Sequence, residues 1–72
     1  MPEGSYTTHL FREGLDKIRK KTGEEAIELI LARGDQEIIS ESADLLYHLT
    51  VLLQAAGLSI DAVLDRLRDR MT

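Results

Sequence analysis

DQEIISESADLLYHLTVLLQAA, residues 35–56, decides the fold. The stretch has no glycine or proline and no strict apolar/polar alternation, and it is rich in helix formers, so it reads as one helix about 33 Å long. Asp35, directly after Gly34, is the expected N-cap. The second half is apolar nearly all round, through Leu45, Leu46, Tyr47, Leu49, Val51, Leu52, Leu53, Ala55 and Ala56. Such a helix must be covered on several sides. A chain of 72 residues without cysteine can hardly supply that cover alone, and domains this small generally need a metal, a partner chain or both. The expected architecture is therefore all-α, a small helical bundle completed by homodimerisation.

Working outward, Gly57 closes the long helix and Ser59 caps the next one. There Ile60, Val63, Leu64, Leu67 and Met71 recur at helical spacing, with Asp61, Asp65, Arg66, Asp69 and Arg70 opposite. Leu58 before the cap and Val63 within the helix form a hydrophobic staple. On the other side, 24–33 is helical, with Ala26, Ile27, Ile30 and Leu31 facing a core. Its start is open: Thr22-Gly23-Glu24-Glu25 fits a capping box, in which Glu25 merely completes the cap, while 14–21 is equally helix-compatible and the two segments can be continuous. Residues 1–4 are expected to fray, with Ser5 or Thr7 capping a short first helix that includes Leu10 and Phe11. Residues 5–72 make a single domain.

Thirteen acids against nine bases give a net charge of −4, which argues against sequence-independent nucleic-acid binding. The most apolar run, 45–56, is too short to cross a bilayer that needs about 20 apolar residues, and the amino terminus lacks the order of a signal peptide. With no cysteine, thiolate metal sites and cysteine nucleophiles are excluded, and a reducing, cytoplasmic setting is compatible. Phosphate-binding glycine loops, G-x-S-x-G, H-E-x-x-H and EF-hand loops are likewise missing. Arg33-Gly34-Asp35 spells an adhesion tripeptide, but a helix–helix turn explains it more simply.

The acids are grouped. Glu24-Glu25-x-x-Glu28 lies on one helix and Glu41-x-x-Asp44 on the next, each placing carboxylates on one face, where like charges repel by a few tenths of a kcal/mol per pair. The stripe Glu37, Glu41, Asp44, His48 descends into the most apolar part of the chain, so Asp44 and His48 are poor choices for ordinary solvated residues. A Glu pair on an amphipathic helix is ordinarily just a solvated face. Two acidic groups on helices joined by a short turn at Gly34-Asp35 can instead share a divalent cation, and all-oxygen ligation favours Mg²⁺ or Mn²⁺ over zinc. His48 by itself reads as a hydrogen-bonded core histidine, and His9 as a surface one. Lys17, Arg19, Lys20 and Lys21 stand just before the acids. They form either a solvated face or, beside a carboxylate-held Mg²⁺, a seat for a polyphosphate.

Taken together, Ser5-Tyr6-Thr7, Gly14 to Ile18, Lys21-Thr22-Gly23-Glu24-Glu25-Ala26-Ile27-Glu28 and Glu41 to Leu49 resemble the phosphoribosyl-ATP pyrophosphohydrolases of histidine biosynthesis, over roughly residues 5–71. The two acidic motifs alone indicate only the wider all-α MazG-type NTP pyrophosphohydrolases; SYT, the K-x-G-E-E context and ADLLYHL narrow the resemblance. It implies Mg²⁺-dependent hydrolysis of the α–β phosphoanhydride of phosphoribosyl-ATP to phosphoribosyl-AMP and pyrophosphate by a homodimer of helices. It further implies Glu25, Glu28, Glu41 and Asp44 as metal ligands, with Glu24 either a further ligand or the group that orients the attacking water. Lys17 and Lys21 match positions facing the phosphates. The family pattern usually carries another helix before Ser5, which is missing from the sequence here. Two rival readings remain at this level, a MazG-type hydrolase of other nucleoside triphosphates and a non-catalytic helical dimerisation module.

Overall fold

The computed structural model describes residues 14–71, and among them the only regular elements are three helices: α1, Leu15–Leu31, α2, Asp35–Ala55, and α3, Ile60–Met71. The all-α expectation holds. The segments expected at residues 1–13, including the first short helix with Leu10 and Phe11, lie outside the described residues.

α1 runs unbroken through Gly23, so of the two readings at its start the continuous helix is the observed one. The capping box at Thr22 does not form, because the Thr22 hydroxyl donates back to the Ile18 carbonyl at 2.9 Å, a bond available only inside a helix. Glu25 is thereby released from any capping role. The helix also ends at Leu31, earlier than expected, where Ala32 turns extended with φ −63° and ψ 143°.

At the head of α2 the cap is Gly34, with φ 79°, and not Asp35. The Gly34 carbonyl already accepts from the Ile38 N–H at 3.0 Å, which leaves Asp35 in the first turn with Glu37. Both acids then face the positive end of the helix dipole. α2 stops at Ala55. Leu58 N–H donates to the Leu53 carbonyl at 2.8 Å and Gly57 N–H to that of Gln54 at 3.1 Å, with Gly57 at φ 75°. This is a Schellman closure, which requires a left-handed residue at Gly57. Ser59 Oγ then accepts from the Ala62 N–H at 3.3 Å, the N-cap expected for α3.

The short connection at 32–34 makes α1 and α2 antiparallel neighbours, and their register is regular. Ile18 meets Val51 in the core, joined by Leu52 and Ala55. About one turn on, Thr22 meets His48, and further on Glu28 meets Glu41. Apolar, polar and acidic layers therefore follow one another toward the turn, where Ala32 is again buried.

This two-helix layer leaves much apolar surface in water. Leu46 is 59% exposed and Tyr47 39%, on the half of α2 expected to be covered on several sides. α3 contributes no buried residue, and its stripe of Ile60, Val63, Leu64, Leu67 and Met71 is exposed throughout. Leu58 and Val63, the expected staple pair, line a groove of about 360 Å³ with Leu53, Ala62 and Leu67. Among the described residues no single helix is long and apolar enough to cross a membrane.

Ile18 is only 1% exposed at the centre of this thin core. Ile18→Ala should cost about 2–5 kcal/mol, against a total of about 4–11 kcal/mol for a domain of this length. Gly57→Ala should cost about 1–2 kcal/mol, the left-handed backbone penalty, since an added Cβ there meets nothing within 4 Å. Urea unfolding followed by helical circular dichroism measures both.

Candidate metal centre

Three carboxylates converge on the acidic layer. Glu25 and Glu28 come from α1 and Glu41 from α2, and one oxygen of each lies within 4.8 Å of the others. The spacing explains the pairing on α1: residues three apart share a face, and the antiparallel register brings Glu41 to that face from the opposite helix. One oxygen of Glu25 and one of Glu41 are shut off from solvent without a hydrogen-bond partner. Glu28, which is exposed, stands close to both.

The electrostatics follow from that crowding. Burial, first, raises the Glu25 carboxyl above its ordinary value of 4.5; Glu28 and the charge of Asp44 add to it, while His48 opposes them. Glu41 is raised for the same leading reason, followed by Glu28, Asp44 and Glu25.

Other residues expected at the site are placed differently. Asp44 is exposed and stands outside the converging set, contrary to the expectation that it is drawn out of solvent, but its charge acts on both Glu25 and Glu41. Glu24 is not brought into the set; its carboxylate pairs with Lys21 at 3.4 Å. Lys17 and Lys21 are half-buried on α1 and share one helical face. Lys17 to Glu25 spans about 12 Å of helix axis. His48 is the buried, hydrogen-bonded histidine expected, with Nδ1 at 2.8 Å from the Asp44 carbonyl.

The donor set fits a small hard cation. Bonds of about 2.0–2.1 Å place the oxygens around Mg²⁺ about 3–4 Å apart, inside the 4.8 Å within which the three oxygens lie, and two of the carboxylates have a buried oxygen without a hydrogen-bond partner. In EDTA, the raised carboxyls make the folded chain bind protons more tightly than the unfolded one. Their contribution to stability is complete below pH 4.5, the unfolded value, and is lost as pH rises through the raised folded values. The urea midpoint in EDTA should therefore fall as pH climbs from about 4.5 toward neutrality, and Glu28→Gln should flatten that slope. With saturating Mg²⁺, which needs ionised ligands, the trend should reverse.

The chain is similar to known proteins along nearly its whole length. A family model described as phosphoribosyl-ATP pyrophosphohydrolase matches residues 1–71. The histidine biosynthesis bifunctional protein HisIE of Bacillus subtilis is 60% identical over 97% of this chain, which spans about a third of that relative, 35% of its length. The phosphoribosyl-ATP pyrophosphatase of Metallosphaera sedula is 50% identical, with 99% of this chain and 80% of the relative covered. That of Lactiplantibacillus plantarum is 52% identical, with 94% and 67% covered. The chain belongs to the phosphoribosyl-ATP pyrophosphohydrolase family.

Proposed function

We propose that this chain hydrolyses the α–β phosphoanhydride of phosphoribosyl-ATP, yielding phosphoribosyl-AMP and pyrophosphate for histidine biosynthesis, with Mg²⁺ held by Glu25, Glu28, Glu41 and Asp44. The observation that carries the reading is the convergence of three carboxylates from two helices, two of them with a buried, unsatisfied oxygen. Family membership and the names of the relatives supply the substrate. It is a reaction of the cytoplasm, where charge retains such phosphorylated intermediates.

When bound there, Mg²⁺ supplies charge neutralisation on the phosphates and a more acidic water. The chain's own groups do the rest. Lys17 and Lys21 extend the acidic face of α1 with positive charge, which suits the leaving pyrophosphate. The Lys21–Glu24 pair, at 3.4 Å with both side chains partly exposed, is weak enough to exchange for phosphate. Glu24, so released, would accept a proton from the attacking water or join the ligands.

We further propose that the working unit is a homodimer. The exposed apolar residues of α2 and α3 support it: Leu46, Tyr47, Leu64 and Leu67 are each between 39% and 59% exposed in the single chain. The radius of gyration of 13.7 Å exceeds the roughly 11 Å of a compact domain this long. Both are what half of a shared bundle looks like.

Pyrophosphate release from phosphoribosyl-ATP, with ATP and dUTP as controls, tests the proposal with Mg²⁺ and with EDTA. Turnover should require both phosphoribosyl-ATP and the metal, and Glu28→Gln or Asp44→Asn should lower it by about a hundredfold or more. Equal turnover of the controls would make it a broader nucleoside triphosphate hydrolase, and no turnover in any form would leave a helical dimerisation module. Sedimentation equilibrium should give about twice the 8.1 kDa protomer mass.

A further inference from the structure

Among the described residues His48 is the one buried polar side chain, 6% exposed. An imidazole is buried at a cost unless its nitrogens are engaged. Nδ1 lies 2.8 Å from the Asp44 carbonyl oxygen, which can only accept, so Nδ1 carries the proton and the ring orientation is fixed. The Tyr47 ring closes on it edge-on, with centroids 5.2 Å apart at 83°. Across the interface, the Thr22 hydroxyl that donates to Ile18 also reaches the His48 carbonyl at 3.5 Å.

The ring is thus anchored one turn from Asp44 on its own helix, and the His48 carbonyl meets α1 at Thr22, about one turn before Glu25. With Ile18 set against Val51 and Thr22 against His48, the antiparallel register brings Glu25 level with the turn of α2 between Asp44 and His48. The imidazole is a polar body anchored to the backbone of Asp44 at this level of the interface.

We propose that His48 is a positioning residue for the cation site, holding Glu25 on α1 in register with Asp44 and Glu41 on α2. The proposal rests on the carboxylate-held metal of the preceding section. Residues behind the ligands of a metal commonly change its affinity about 10–100-fold when replaced. His48 acts at that level and touches no substrate.

Mn²⁺ alone is the probe, its binding to the full chain read by electron paramagnetic resonance, with the melting temperature in EDTA recorded beside it. His48→Phe and His48→Gln should each weaken Mn²⁺ binding about tenfold. Val51→Ala, which thins the same interface one turn away, should lower the melting temperature while leaving Mn²⁺ affinity unchanged. Where His48→Phe does not fold, His48→Gln, which keeps a polar group, carries the comparison. Wild-type affinity in the His48 variants, or an equal loss in Val51→Ala, would overturn the positioning role. Absence of Mn²⁺ binding to the wild-type chain would instead remove the metal reading, and this proposal with it.

Discussion

Carboxylates brought together from two helices repel, and the interface that brings them together is thin. Glu25, Glu28 and Glu41 sit within 4.8 Å of one another, while the core opposing their repulsion is centred on Ile18 and Val51. In water the acids would separate by swinging outward. Here one oxygen each of Glu25 and Glu41 is closed off from solvent, and burial first, then the neighbouring acids, raises both carboxyls. The free chain therefore has its least favourable interaction at the place where a divalent cation would supply its most favourable one. Such an arrangement links folding to metal by mass action.

The layered register makes this possible. An antiparallel pair joined by a turn as short as 32–34 has little freedom to slide, so once Ile18 is set against Val51 the facing of Thr22 with His48 and of Glu28 with Glu41 follows. Distance along the helices separates the apolar layer, which holds the pair together, from the acidic layer, which works against it. Thr22 and His48 form the intermediate step, polar enough to border carboxylates and buried enough to border Val51.

Much of this was legible from spacing alone. The period of α3, the glycine at 57 and the cap at Ser59 each have a local cause, and all three occur as read. The start of α1 was ambiguous because Thr22 can serve two structures, as a cap or as a back-bonded helical residue, and only the pairing with α2 selects the second. Asp35 has the side chain of a cap, but the left-handed Gly34 in front of it takes that role at lower conformational cost. At the site, spacing gave the faces of Glu25, Glu28 and Glu41 but not where the longer side chains turn. Glu24 faces Lys21 three residues earlier, a local pair the sequence also contains, and Asp44, one carbon shorter than Glu41, stays at the exposed rim.

The same thinness that exposes the site also exposes α2 and α3. A helix carrying Leu46 and Tyr47 outward, followed by one with Ile60, Val63, Leu64 and Leu67 outward, gains about 25 cal/mol for each Å² of apolar surface withdrawn from water. The groove before α3 lies toward the opposite end of α2 from Glu41, while Ile27, Ile30, Ile38 and Ile39 carry exposed apolar surface beside the acidic layer as well. Association can stabilise the helices without neutralising the carboxylates, and cation binding can neutralise the carboxylates without burying apolar surface. The two deficits of the single chain differ in chemistry, apolar surface in one case and crowded charge in the other, so relieving one does not relieve the other.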